Sequence, residues 1–144
     1  MADIHINAGG LAGAPLDLLL RAIELVMGSQ AVAEGEVSLT LLDDKGIREL
    51  NRQYLKHDCV TDVIAFNLSD EGGPLSGDVY IGFEQAARQA SELGISTDDE
   101  LERLAIHGVL HVLGSDHPVG KDRFESPMWR LQEELLNQLL DGDT

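Results

Sequence analysis

The 144-residue sequence has a single cysteine and no apolar run of the length needed to cross a bilayer. One thiol, Cys59, excludes an internal disulfide framework and suits a reducing compartment. Residues 1–7 also lack the basic leader and the apolar core of a secretory signal. No repeat, low-complexity tract or linker divides the chain. We therefore expect one soluble, cytoplasmic domain that spans residues 1–144 and has no membrane partner.

Positive charge is also scarce: the sequence has 10 Lys and Arg side chains and 26 Asp and Glu side chains, for a formal net charge of −16. Such a charge repels a polyanion at long range. Counterion release, which drives non-specific nucleic-acid binding, needs clustered basic residues. A local cluster can still suffice, so the distribution of the ten basic residues matters more than their sum.

Four of the ten basic residues recur at spacings of three and four, which places them on one side of a helix. This basic stripe consists of Lys45, Arg48, Arg52 and Lys56. Ile47, Leu50 and Tyr54 are expected on the opposite side. Two interpretations remain open, because Glu49 borders the stripe: a solvated helix face, or a surface that contacts RNA phosphates.

Hydrophobic periodicity predicts strands alternating with helices. The predicted strands cover residues 3–7, 37–42, 63–68 and 78–82. The predicted helices cover residues 16–28, 44–55 and 84–93, followed by a helix that carries two histidines and a last helix from Pro127. Thr97 and Glu100 form the capping-box pattern that we expect to open the histidine helix.

Three of the five histidines lie between positions 107 and 117. His107 and His111 are four residues apart, so a helix places both imidazoles on one face. Gly114 can end that helix, and the returning chain can bring His117 beneath the first two. Three neutral imidazoles with one open position hold a catalytic zinc. The alternative is a set of core histidines that are hydrogen-bonded to backbone groups. We predict instead that the three histidines bind one zinc ion per chain.

The histidine spacing is that of the long zinc-protease signature H-E-x-x-H-x-x-G-x-x-H, with Gly108 in place of the glutamate. That glutamate is the general base of the peptidases. The sequence thus predicts the metal ligands without the peptidase base.

With that glycine, the pattern H-G-x-L-H-x-x-G-x-D-H resembles the signature of the YbeY family, bacterial zinc-dependent endoribonucleases implicated in rRNA maturation. Residues 50–66 are similar to a second family motif, in which L-N-x-x-Y/F-R precedes D-x-x-T-D-V-L-S-F. Leu55 stands where the family has an arginine associated with activity, and Ala65 replaces a serine. The resemblance implies an α+β, zincin-like metal-dependent hydrolase fold: a small mixed sheet of about four strands packed with helices.

The resemblance also implies RNA as substrate, with rRNA of the small ribosomal subunit as the partner and zinc as cofactor. A zinc held by His107, His111 and His117 would activate a water or a ribose hydroxyl. Asp116 can orient an imidazole, or it is simply a turn residue. Asp62 can do the same, and Arg52 or Lys56 can substitute for the arginine that Leu55 replaces.

Three hypotheses follow from the sequence. The first is a metal-dependent endoribonuclease in rRNA processing, favoured by both motifs and the basic stripe. The second is another zinc hydrolase, a peptidase or amidase, favoured by the histidine spacing but opposed by Gly108. The third is a weakly catalytic, metal-stabilised binding module of ribosome assembly, favoured by Leu55 and the acidic composition.

Overall fold

The computed structural model describes residues 2–9, 13–32, 34–70, 73–114 and 127–141. Within them strands and helices follow in the order β1 (Ala2–Asn7), α1 (Leu16–Ser29), β2 (Gly35–Leu42), α2 (Asp44–Leu55), β3 (Val63–Asn67), β4 (Leu75–Gly82), α3 (Phe83–Leu93), α4 (Thr97–Val112) and α5 (Pro127–Asp141). None of these described helices is both long and apolar enough to cross a membrane.

The four strands form one mixed sheet in the order β1-β2-β4-β3. β1, β2 and β4 are parallel, and β3 runs antiparallel to β4 at one edge. The expected small mixed sheet is therefore confirmed. β4 begins at Leu75, three residues before the predicted start, because Leu75 and Ser76 pair with Gly35 and Glu36 of β2. The turn-forming residues before Gly77 concealed this extension in the sequence.

The core lies on one face of the sheet. Alternate residues of the central strands are buried there, as the period of two requires. They are Val37, Leu39, Leu41, Val79 and Ile81. Helix α4 packs on this face and also contacts α1, α3 and α5, so it is the central helix. Only a helix apolar on almost every side can occupy that place.

Two glycines let α4 approach the sheet closely. A Cβ on Gly108 would lie 2.5 Å from Val79 Cγ1 and 3.3 Å from Val63 Cγ2. A Cβ on Gly77 of β4 would likewise clash with the side chain of Val112, near the end of α4. Both contacts fall below ordinary van der Waals distance. The glycines therefore fix how deep the histidine helix lies against β3 and β4.

The start of α4 differs from the prediction. Ser96, not Thr97, is the N-cap, and its hydroxyl accepts a hydrogen bond from the Asp99 backbone N–H at 3.0 Å. The capping box of Thr97 and Glu100 was therefore wrong. Ser96 is an equally good cap one residue earlier. Glu100 is buried instead, where its carboxylate accepts from Gln89 and Arg103.

Helix α2 lies against the opposite face of the sheet. Its Ile47 packs at Gly82, and its Tyr54 ring contacts Phe66 with the ring centroids 5.7 Å apart. Tyr54 was expected on the side opposite the basic stripe, where it contacts the sheet but stays 58% exposed. Asn51 is buried, and its amide donates to the Cys59 carbonyl at 3.0 Å. That bond ties the segment before β3 to the helix.

Candidate metal centre

Helix α4 holds its two histidines with their ring nitrogens facing each other. The Nε2 atoms of His107 and His111 are 3.1 Å apart, and the ring centroids are 4.6 Å apart. Two ligands of one tetrahedral zinc, each about 2.0–2.1 Å from the ion, are separated by about 3.3–3.4 Å. Both the donor atoms and their separation therefore fit two neighbouring ligands of one zinc ion.

The third expected ligand, His117, and the candidate Asp116 lie outside the described residues. Among the residues that are described, no third histidine, cysteine or carboxylate joins the pair in a metal-binding cluster. The zinc assignment and the roles of His117 and Asp116 therefore stay predictions.

The other ring nitrogen of His107 is held by helix α5. His107 Nδ1 makes a hydrogen bond with Gln132 Oε1. Gln132 is only 1% exposed, and its own Nε2 donates to Glu133 Oε2 at 2.9 Å. Such a partner fixes the orientation of a metal-ligating imidazole. The sequence reasoning assigned this type of contact to Asp116 and Asp62 and missed Gln132. The available signal was an amide between Leu131 and Leu135, on the inward side of an amphipathic helix.

A chain of charged groups continues behind Gln132. Arg103 Nε donates to Glu133 Oε2 at 3.1 Å, and Arg103 Nη1 donates to Glu100 Oε1 at 3.0 Å. Gln89 Nε2 donates to the second Glu100 oxygen at 2.8 Å. Burial raises the pKa of Glu100, while the bonds from Gln89 and Arg103 oppose that rise. The result is one hydrogen-bonded network that joins α3, α4 and α5 behind the histidines.

Among the described residues, His107 lines two of the cavities. The larger, of about 390 Å³, includes Asp62, Arg103, Trp129 and Gln132 in its lining. Asp62, a candidate orienting residue, thus lies in the same cavity as His107. Its Oδ1 accepts from the Val63 backbone N–H at 2.7 Å, which fixes the carboxylate at the start of β3.

The smaller cavity, of about 170 Å³, lies at the β3 edge of the sheet. His107 and His111 line it together with Leu55, Val63, Ile64 and Ala65. Because β3 is the edge strand, the end of α2 and the histidines of α4 meet around it. Leu55 is 43% exposed there. The position at which the family pattern has an arginine therefore faces the histidine pair.

The basic stripe lies elsewhere on α2. Lys45, Arg48 and Arg52 line a surface depression of about 470 Å³ that includes neither His107 nor His111. Three carboxylates share this depression, those of Asp44, Glu49 and Asp58. The lining charges therefore balance, and the stripe is not a purely cationic surface.

Individual ion pairs reduce the free charge of the stripe further. Arg48 Nε donates to Asp58 Oδ1 at 2.9 Å, which raises the pKa of Arg48 and lowers that of Asp58. Arg52 Nη2 lies 3.6 Å from Glu49 Oε1. Lys56 caps the helix in the left-handed conformation, with φ at 62°. The roles of these residues, including Arg52 as a catalytic substitute, stay predictions.

The fold and the histidine pair together match the expected zincin-like α+β class, with Gly108 in place of the peptidase glutamate. Comparison with known sequences assigns the family. The family profile described as Endoribonuclease YbeY matches residues 15–140. The chain therefore belongs to the endoribonuclease YbeY family, which confirms the resemblance found in the two motifs.

Individual relatives agree with the family profile. The chain is 38% identical over 125 residues to the endoribonuclease YbeY of Aquifex aeolicus, covering 85% of this chain and 83% of the relative. It is 44% identical over 131 residues to that of Pelotomaculum thermopropionicum, covering 85% and 84%. The solution structure of TM1509 from Thermotoga maritima matches with a TM-score of 0.66 at 26% identity, covering 99% of this chain and 91% of that one. The expected fold is thus confirmed.

Proposed function

We propose that this chain is a zinc-dependent endoribonuclease that processes rRNA of the small ribosomal subunit in the cytoplasm. One observation carries the proposal: the two Nε2 atoms of His107 and His111 lie 3.1 Å apart, within the motif that matches an endoribonuclease family. A nuclease is therefore favoured over both the peptidase or amidase and the binding module.

One zinc ion would be held by His107, His111 and His117, with one position left open. When bound, it would supply a Lewis acid for a phosphoryl oxygen and lower the pKa of a water to about 7. Gln132 keeps the His107 ring in place through Nδ1. Asp62 lines the same cavity and can accept a proton or a hydrogen bond from the bound substrate.

RNA would be positioned by the basic stripe of Lys45, Arg48, Arg52 and Lys56. Since Asp58 accepts from Arg48 Nε in the free protein, a phosphate must compete with that carboxylate for the guanidinium. Such competition weakens binding, and salt screens the remaining attraction. Leu55 offers no donor to a scissile phosphate, so this chain would cleave slowly unless Arg52 or Lys56 reaches the site.

A cleavage assay tests the proposal. Wild-type protein and the variant His111→Ala would be incubated with a small-subunit rRNA fragment, with and without a chelator. The matched control is His57→Ala, which removes an exposed histidine that does not line the histidine cavities. We expect cleavage by wild type and His57→Ala, lost with chelator and in His111→Ala. Cleavage that persists in His111→Ala with chelator present would refute the zinc-dependent mechanism.

A further inference from the structure

The contact between His107 and Gln132 determines which ring nitrogen of His107 carries the proton. Glu133 Oε2 accepts from both Gln132 Nε2 and Arg103 Nε, at 2.9 and 3.1 Å. A carboxylate paired with an arginine is ionised and can only accept. The Gln132 atom that faces Glu133 must therefore be its NH₂ group. That leaves the amide oxygen, Oε1, pointing at His107 Nδ1.

An amide oxygen can only accept, so His107 Nδ1 must donate. In the neutral ring the proton then resides on Nδ1, and Nε2 keeps its lone pair. That lone pair points to His111 Nε2, 3.1 Å away, where the two rings can share an ion. The network thus selects the one tautomer of His107 that can bind a metal through Nε2.

We propose that Gln132 is a positioning residue for the metal site, with Glu133 and Arg103 fixing the direction of its amide. The inference rests on the proposed zinc site, which it deepens by naming the residues that prepare His107 as a ligand. The alternative is a structural amide that only fills space between helices α4 and α5. Against that alternative, Gln132 is 1% exposed on an otherwise apolar side of α5, and its oxygen faces the imidazole.

Arg103 is itself bound by two carboxylates, those of Glu133 and Glu100. These contacts fix the direction of the Gln132 amide. Arg103 Nη1 donates to Glu100, and Glu100 is only 3% exposed. Gln89 of helix α3 donates to the other oxygen of Glu100. Reversal of the Gln132 amide would turn its oxygen towards the Glu133 carboxylate, so that one acceptor would face another.

Nuclear magnetic resonance of the metal-free full-length chain tests the proposal without zinc or RNA. Two-bond ¹H–¹⁵N spectra distinguish the two imidazole tautomers, and His107→Ala assigns the signals. In slightly alkaline buffer, we expect His107 of the wild type in the Nδ1–H form, because Gln132 Oε1 accepts from Nδ1. A wild-type His107 found in the Nε2–H form would overturn the proposal, whatever the variants do.

Two variants and a control extend the test. Gln132→Met keeps the length of the side chain but removes its acceptor, so His107 should become a mixture of tautomers. Zinc affinity should fall about 10- to 100-fold, the usual effect of losing such a partner. Glu133→Met leaves Gln132 in place but frees its amide to turn, and a smaller shift is expected. The control, Gln138→Met, changes an exposed glutamine on the same helix and should alter neither quantity.

The outcomes separate this inference from the proposed function. An unchanged His107 signal and unchanged zinc affinity in both Gln132→Met and Glu133→Met would show that the amide is structural. Wild-type protein that binds zinc with the expected tautomer but leaves RNA intact would refute the nuclease proposal alone.

Discussion

Gly108 of the histidine helix lies directly against Val79 of β4, so close that a Cβ on Gly108 would come within 2.5 Å of Val79 Cγ1. Val79 is fully buried in the core. The residue that occupies the glutamate position of the zinc-protease signature therefore points into the sheet. Glycine carries no general base at this position, and the packing against Val79 leaves no space for a glutamate side chain.

Replacement of Gly108 by alanine should destabilise the protein. Overpacking of a dense core costs about 1–3 kcal/mol, whereas the better helix propensity of alanine returns at most about 1 kcal/mol. Urea unfolding of wild type and Gly108→Ala measures the difference.

The matched control is Gly28→Ala in helix α1, where nothing lies within 4 Å of an added Cβ. Its free energy of unfolding should stay the same or rise slightly. A Gly108→Ala protein as stable as Gly28→Ala would show that α4 is not pressed against β4 at this point.

The same contact predicts that the protein has no peptidase activity. Without a carboxylate at position 108, casein should not be cleaved above a chelator-treated sample. Proteolysis that is sensitive to chelator and lost in His107→Ala would contradict this and revive the peptidase hypothesis.

Much of the fold could be predicted because local patterns agree with it. Strand β2 and helix α2 show clear periodicity, and the structure places them within two residues of the predicted bounds. The errors arose where a tertiary contact decides the outcome. Strand β4 was predicted to begin at Asp78, yet the pairing of Leu75 and Ser76 with β2 extends it to Leu75. Glu100 has the spacing of a capping residue, yet it is buried and accepts hydrogen bonds from Arg103 and Gln89.

The candidate site, like the fold, could be predicted only where it depends on local spacing. The histidine pair follows from one helical period, so its geometry could be predicted from spacing alone. Gln132 is 25 residues from His107 in the chain, and their contact depends on how α5 packs across α4. The pairing of Arg48 with Asp58 is also a tertiary result, because ten residues and a change of direction separate them.

Leu55→Arg should accelerate RNA cleavage. Leu55 lines the cavity that His107 and His111 also line, so an arginine there can reach a phosphate bound beside them. One charge-stabilising donor contributes about 2.7–4 kcal/mol in comparable sites, a factor of about a hundred to a thousand in rate. Single-turnover cleavage would be measured in wild type, Leu55→Arg and the control Gln53→Arg, which adds the same charge at another exposed α2 position. Equal rates in all three would show that no arginine is needed at position 55.

The basic stripe makes a prediction about salt. RNA affinity should fall steeply as salt rises, despite the net charge of −16, and Arg48→Glu with Arg52→Glu should weaken binding to all RNA sequences alike. Asp58→Asn should instead strengthen RNA binding, because it releases the Arg48 guanidinium. Fluorescence anisotropy at several salt concentrations measures both effects.

The control for the stripe is Arg21→Glu on helix α1, which is compared with Arg48→Glu alone because each single substitution makes the same charge change. Arg21→Glu should leave RNA affinity nearly unchanged. A loss as large as that of Arg48→Glu would mean that only net charge matters, and the stripe would then be a solvated helix face.

Zinc should stabilise the folded chain, because only the folded state brings its ligands together. At a free zinc concentration 100 times the dissociation constant, the gain is about 2.7 kcal/mol. The melting temperature should therefore rise with zinc in wild type and in His57→Ala, and stay constant in His111→Ala. A melting temperature of His111→Ala that responds to zinc as the wild type does would place the metal elsewhere.

The central claim, a single zinc that turns this chain into an endoribonuclease, is tested most directly by titration. Zinc would be added stepwise to the metal-free protein, and the single-turnover rate of cleavage of a small-subunit rRNA fragment would be measured at each step. We predict a rate that rises in proportion to bound zinc and levels off at one ion per chain. Equal cleavage by the metal-free protein, or none at any zinc concentration, would contradict the claim.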